Sequence, residues 1–152
     1  MANAGIDEAN ADGRLILLPL DSFRTAAALR KKIQKKFSVK HLGVLITDSR
    51  VAPLRRGVTG VALGYAGFRG IRDYRRERDI FARRFEYTTL NVADSLATAA
   101  VLCMGEGNER QPLSLIAHAP IEFCERSDRK KQTIDIRDDL YAPVFLRDQL
   151  PH

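Results

Sequence analysis

A chain of 152 residues, 45% hydrophobic and 29% charged, has the size and apolar content of one domain with a real core, read here as a single unit over 1–152. The formal net charge of +6 points to an anionic partner, whether nucleotide phosphates, acidic substrates or nucleic acid, without choosing among them. Apolar runs such as Leu15 to Leu18 are far too short to span a bilayer, and the N-terminus lacks the basic and apolar regions of a signal peptide, so a cytoplasmic protein without a membrane partner is expected.

In chain order, residues Met1 to Asn10 are rich in small and turn-forming types and read as a loop. Arg14 to Leu18 reads as a short strand closed by Pro19. Asp21 or Ser22 then caps a helix from Phe23 to Phe37 with Ala26, Leu29, Ile33 and Phe37 on its buried stripe. Arg30, Lys31, Lys32, Lys35 and Lys36 on that helix form a basic cluster; lacking interleaved aromatics to stack bases, it is expected to be a solvated face, not a nucleic-acid reader.

Val44 to Ile46 reads as a short buried strand ending at Thr47-Asp48-Ser49, which sets a carboxylate where a strand surfaces. A second strand runs from Val58 to Leu63. Gly57, Gly60, Gly64, Gly67 and Gly70 recur every three or four residues, a pattern that lets backbone approach a ligand or another strand closely, but it matches no phosphate-loop motif. Arg72 to Arg84 reads as an exposed hairpin or loop anchored by Tyr74, Ile80 and Phe81. Tyr87 to Leu90 is a strand, and Asn91 opens a helix with Val92, Leu96, Ala99, Ala100 and Cys103 inward, ended by Gly105 as a left-handed cap. Strands are expected at Leu113 to Ala117 and at Ile121 to Phe123, and Leu140, Tyr141, Val144 and Phe145 are expected to dock the tail on the body. Cys103 and Cys124, too few for a disulfide framework and too far apart for a CxxC motif, are read as buried thiols.

Three acidic segments carry the chemistry: Asp7, Asp48 and Glu106, the last within the tight loop Glu106-Gly107-Asn108-Glu109. Hard divalent cations take carboxylate and hydroxyl oxygens, and one or two carboxylates plus nucleotide phosphates suffice to hold them. Arg55 and Arg56 could hold substrate carboxylates or phosphates, by charge and position alone.

The segments NAGIDEAN, ITDSRVAPLRRGVTGVALGYAGF, DY with RDIFAR, NVADSLATAAVLCMGEGNERQPL and IDIRDDLYAP occur in an order that resembles the coenzyme F-420:gamma-glutamyl ligases, especially the branch assigned to folate metabolism. The resemblance implies an α+β gamma-glutamyl ligase-like fold with a mixed sheet and packed helices, and a homodimer. The implied reaction joins L-glutamate to a substrate carboxylate, a deazaflavin coenzyme precursor or a folate-like acceptor, using GTP or ATP with Mg²⁺ or Mn²⁺ through an acyl phosphate. Residue by residue, it implies metal ligation by Asp7, Asp48, Ser49 (a threonine in most members) and Glu106. It implies nucleotide contacts from Asn10 and from the loop Met104, Gly105, Glu106, Gly107, Asn108, Glu109, Arg110 and Gln111. Two departures stand out. Ala82 replaces the family's DIFGR glycine, which is strained if the position needs positive φ. The family's N-terminal region has no counterpart, so an N-terminally shortened chain is expected, with a nonenzymatic remnant that binds metal or nucleotide as the alternative function.

Overall fold

A computed structural model describes residues 6–7 (backbone only), 11–127 and 129–146. Two helices pack on one β-hairpin. The hairpin is β3 (Val44–Val51) paired antiparallel with β4 (Val58–Ala66). Before it come β1 (Ile6–Asp7), antiparallel to β2 (Ile16–Leu17), and helix α1 (Ser22–Phe37); after it come β5 (Ile71–Asp73), antiparallel to β6 (Thr89–Asn91), and helix α2 (Val92–Met104). A 3-10 turn (Arg129–Lys131) and a four-residue α3 (Ala142–Phe145) end the described chain. The α+β class holds. In place of a mixed sheet, the described strands form three separate antiparallel pairs, because each pair is closed by a hairpin connection and none by the longer crossover that parallel strands need.

The caps explain where the helices begin. Asp21 has extended backbone and accepts the Arg24 N–H at 3.0 Å, and Asn91 accepts that of Asp94 at 3.0 Å. Glycine explains how closely the helices dock. A Cβ on Gly60 would run into the Ala97 carbonyl of α2, and one on Gly64 into the Ser22 backbone of α1, so both helices lie directly on the β4 main chain. The core that results joins Ala62, Tyr65 and Phe68 to Val92, Ala93 and Ala97, with Phe23, Leu45, Leu96 and Ile121 packed around them.

Several expectations are corrected. β3 continues to Val51, so Asp48 lies inside a strand; a register break leaves Leu63 unpaired opposite Ile46 and Thr47, a bulge that bends the hairpin at this point. Residues Ile6–Asp7 are a strand within the expected loop. α1 is rotated: Leu29 and Phe37 are exposed, and Arg30 is buried beside Ala26. Its guanidinium donates Nε to the Leu42 carbonyl at 2.9 Å and both terminal nitrogens to Glu125 at 2.9 and 3.1 Å. The long arginine stem packs like an apolar side chain while its fork is fully bonded, which is why a basic residue can replace leucine on the inner face. On α2 the inward set is Val92, Ala93, Ala97 and Ala100; Ala99 and Cys103 face out, and Cys124 is half-buried.

The Arg72 to Arg84 hairpin is held by Tyr74 against Phe85, with centroids 6.0 Å apart, while Ile80 and Phe81 are exposed at its tip. Residues 113–117 form no strand, and Leu113 and Leu115 lack a partner surface among the described residues. Phe123 makes a single bridge to Phe68, extended by the Arg69 N–H to the Glu122 carbonyl and the Cys124 N–H to the Gly67 carbonyl. Leu140, Tyr141, Val144 and Phe145 remain exposed. The tail is tied down upstream instead, where Arg129 lies over the Phe23 ring and meets Asp21.

Arg30→Ala is expected to lower stability by about 2 kcal/mol, chiefly by leaving the Leu42 carbonyl unbonded, since Glu125 is open to solvent and that ion pair is screened. Hydrogen bonding to Arg30, then its charge, holds the Glu125 carboxyl below its ordinary value. This contribution is present above the unfolded carboxyl's pKa and lost as pH falls through the depressed folded value. In acid unfolding followed by circular dichroism, Glu125→Gln should therefore show a shallower loss of stability below about pH 4.

Ala82 sits at φ +63°, in a tip where Asp79 Oδ1 accepts the N–H groups of Phe81 and Arg83 and the Ala82 N–H donates to the Asp79 carbonyl. Non-glycine residues in this region cost about 1–2 kcal/mol, partly offset by glycine's greater freedom when unfolded. Ala82→Gly should therefore stabilise by about 0.5–1 kcal/mol in denaturant unfolding.

Candidate functional site

The residues around an open cleft of about 630 Å³ come from two places distant in the chain. β3 contributes Asp48 and Ser49. The end of α2 and the loop after it contribute Val101, Met104, Gly105, Glu106, Gly107, Asn108, Arg110, Gln111 and Pro112. The fold brings them together because α2 lies along β4, so that its C-terminal end and following loop meet the middle of β3. Asp48 accepts the Ser49 N–H at 2.8 Å, a bond that holds the carboxylate in one orientation on a rigid strand.

The loop takes its shape from its glycines and from Glu109. Gly105 ends α2 at φ +79° and ψ 174°, with its N–H on the Val101 carbonyl at 2.8 Å. This is an extended conformation essentially reserved for glycine, and not the left-handed cap expected from the sequence. Glu109 is absent from the cleft lining. Its carboxylate turns back, accepts the Gly107 N–H at 2.8 Å and fills the space beside Gly105, bracing the loop from within. Arg110, at φ +55°, donates Nε to Asn108 at 3.2 Å.

Of the residues expected to bind metal, Asp48, Ser49 and Glu106 line this one cleft. Only the backbone of Asp7 is described, in β1, and Asn10 lies outside the described residues. Of the nucleotide set, Met104, Gly105, Glu106, Gly107, Asn108, Arg110 and Gln111 line it. Arg55 and Arg56 stand exposed in the β3–β4 turn and are not part of the lining. Among the described residues no group of three or more His, Cys, Asp or Glu side chains could hold an ion. Two carboxylates and a hydroxyl do suit a magnesium-type cation whose remaining positions are filled by water and phosphate oxygens. Val101 and Pro112 were not singled out from the sequence; their signal was only adjacency to the loop motif.

Gly105→Ala should cost about 2 kcal/mol, set by the backbone conformation, because the colliding Glu109 is a flexible side chain that can move. Its displacement should also speed hydrogen exchange at the Gly107 amide.

Residues 1–118 match the family model described as F420-0:Gamma-glutamyl ligase. A protein of Methanococcus maripaludis named coenzyme F420:L-glutamate ligase is 39% identical over 129 residues, 85% of this chain and 52% of the relative. Proteins of the same name from Methanopyrus kandleri and Methanocaldococcus jannaschii are 43% identical over 112 residues (73% and 44% of the two chains) and 37% identical over 122 residues (80% and 49%). The chain spans about half the length of the curated relatives it matches.

Proposed function

Because the chain belongs to the F420-0:Gamma-glutamyl ligase family, we propose that it serves a nucleotide-dependent ligase that adds L-glutamate to a substrate carboxylate. The observation that carries this reading is the single cleft in which Asp48 and Ser49 meet the Met104 to Gln111 loop. A deazaflavin acceptor is favoured over a folate-like one by the relatives' names.

A carboxylate is inert toward amines, so it must be activated. One acceptor oxygen attacks the terminal phosphorus of GTP or ATP, the nucleoside diphosphate leaves, and an acyl phosphate forms. The amine of glutamate then attacks the acyl carbon, phosphate departs with the C–O bonding pair, and the amine loses a proton to give the amide. Asp48, Ser49 and Glu106 would hold Mg²⁺ or Mn²⁺ in the cleft, with Asp7 as a further proposed ligand; such an ion neutralises charge on the phosphoryl oxygens. Arg110, which lines the cleft, is a proposed phosphate contact. Asn10, Asn108 and Gln111 are proposed nucleotide contacts, and Glu109 supports the loop that carries them.

We also assign the functional unit as a homodimer. This follows the family resemblance, and large apolar side chains exposed among the described residues, such as Leu102, Leu113 and Leu115, suit surface that is covered in an assembly.

Mn²⁺ titration of the wild-type chain, Asp48→Asn and Glu106→Gln should show affinity falling at least about 10-fold in each variant. Equal affinities in all three would remove both residues from the site. Incubating the protein with GTP or ATP, Mn²⁺, glutamate and a deazaflavin acceptor, at concentrations where sedimentation finds the dimer, should yield the amide and phosphate. Metal binding without turnover would favour the nonenzymatic alternative.

A further inference from the structure

The carboxylate that ties α2 to β4, the strand paired with the cleft's β3, is Asp94, which lies outside the cleft lining and belongs to none of the motif positions read as ligands. It is the third residue of α2 and three-quarters or more shielded from solvent. An acidic residue at this position ordinarily reaches back to the capping backbone. Here its Oδ1 accepts the N–H of Ala62 on β4 at 2.9 Å, and its Oδ2 accepts the Asn91 side-chain amide at 2.8 Å and faces Arg50 of β3 at 3.9 Å. One side chain therefore contacts both strands of the hairpin and the cap of the helix.

Where it grips matters. Ala62 is the β4 residue directly opposite Thr47, beside the unpaired Leu63, at the break in register that precedes Asp48 and Ser49. Both main-chain groups of Ala62 are satisfied from outside the hairpin, the N–H by Asp94 and the carbonyl by Gln132 Nε2 at 3.2 Å. Two residues back, the Gly60 carbonyl, opposite Ser49, accepts the Thr98 hydroxyl at 3.0 Å. Around Gly60 and Ala62 the free edge of β4 is thus met by side chains of α2 and by Gln132 and, among the described residues, not by a further strand. The extra residue lies in β4, and the bend and twist it gives the pair set the course of the facing β3 residues; that geometry persists only if its main-chain groups are held.

We infer that Asp94 is a positioning residue that fixes the hairpin bulge and so sets the direction in which Asp48 and Ser49 enter the cleft. This rests on the metal reading of those two residues, and the test separates the two ideas. Mn²⁺ affinity is measured by titration on the wild-type chain, Asp94→Ala, Asp94→Asn and Asp48→Asn. Asp79→Ala, which loosens the tip of the Arg72 to Arg84 hairpin, serves as a control for general loss of stability. In parallel, the ¹⁵N–¹H shift of the Ser49 amide is followed, since that N–H donates to Asp48 and reports the carboxylate's orientation without any metal.

Asp94→Ala should weaken Mn²⁺ about 10-fold, the usual effect of losing an outer support of a metal ligand, and should move the Ser49 amide. Asp94→Asn keeps an acceptor for Ala62 but turns a donor toward the Asn91 amide and Arg50, and should fall between wild type and Asp94→Ala, while Asp79→Ala should change neither readout. If Asp94→Ala does not fold, Asp94→Ser, too short to reach Ala62, carries the same expectation. Wild-type affinity and an unmoved Ser49 amide in Asp94→Ala would overturn the inference, while a loss confined to Asp48→Asn would leave the metal reading standing. Equal weakening by Asp79→Ala would also overturn it. If the wild-type chain binds no Mn²⁺, the metal reading fails, and the Ser49 amide alone decides the positioning role.

Discussion

The close approach of two helices to the main chain of β4 is the constraint on which the other features depend. Gly60 and Gly64 have no Cβ where α2 and α1 lie, so the Ala97 carbonyl and the Ser22 backbone come nearer than any side chain would allow. At that separation small residues must line the helix faces, and Ala93, Ala97 and Ala100 do so on α2, while Ala26 does so on α1. The larger side chains are left to fill the ends of the contact, where Tyr65 and Phe68 stack at 4.9 Å and Phe23 closes on Tyr65 at 5.1 Å. Alanine buries little area, so this core gains less from apolar transfer than a leucine core of equal length would. Hydrogen bonds from Asp94 and Thr98 to β4 supplement it, and the buried Arg30 fork fastens α1 to the segment around Glu125.

Much of this was legible in the chain. Asp21 and Asn91 announced the helix starts through their type and place, and the glycine spacing announced close approach, though not that helices would be the partners. Ala82 was readable as a strained position, through resemblance, because its neighbours RDIFAR kept the rest of a hairpin motif. Helix rotation was not legible. The period that made Leu29 and Phe37 look buried is met equally by a stripe through Ala26, Arg30 and Ile33, and only Glu125 and the Leu42 carbonyl, both outside the helix, make an inward arginine tolerable. Apolar content likewise misled at 113–117, where strand-forming residues lack a neighbouring strand among the described residues.

The candidate site was legible as residue types and not as geometry. Asp48, Ser49 and the glycine-rich loop were each noticed as local motifs, but what joins them is the run of α2 along β4, a long-range relation that no local period encodes. Glu109 and Asp94 show the limit in two directions. Glu109 sits within the loop motif yet turns back on Gly107, while Asp94 sits outside every ligand motif yet holds the strand paired with the one that carries Asp48. The pair Asn91 and Asp94 did carry a signal, an acid three residues after a cap, whose ordinary reading is a local capping interaction.

Charge sharpens what the cleft can do. The net +6 of the chain is not gathered there: Arg30, Arg69, Arg72, Arg75 and Arg129 are spent on ion pairs, and the lysines of α1 lie on its outer face. Among the described residues, the charged lining of the cleft is Asp48, Glu106 and Arg110, one more negative than positive. A bare polyphosphate approaching this lining meets two carboxylates at short range, where repulsion is screened least. A divalent cation reverses the sign of that lining and gives the phosphates something to bridge to. In the proposed reaction such an ion would therefore serve nucleotide entry as well as transfer, with Arg110 as its companion charge.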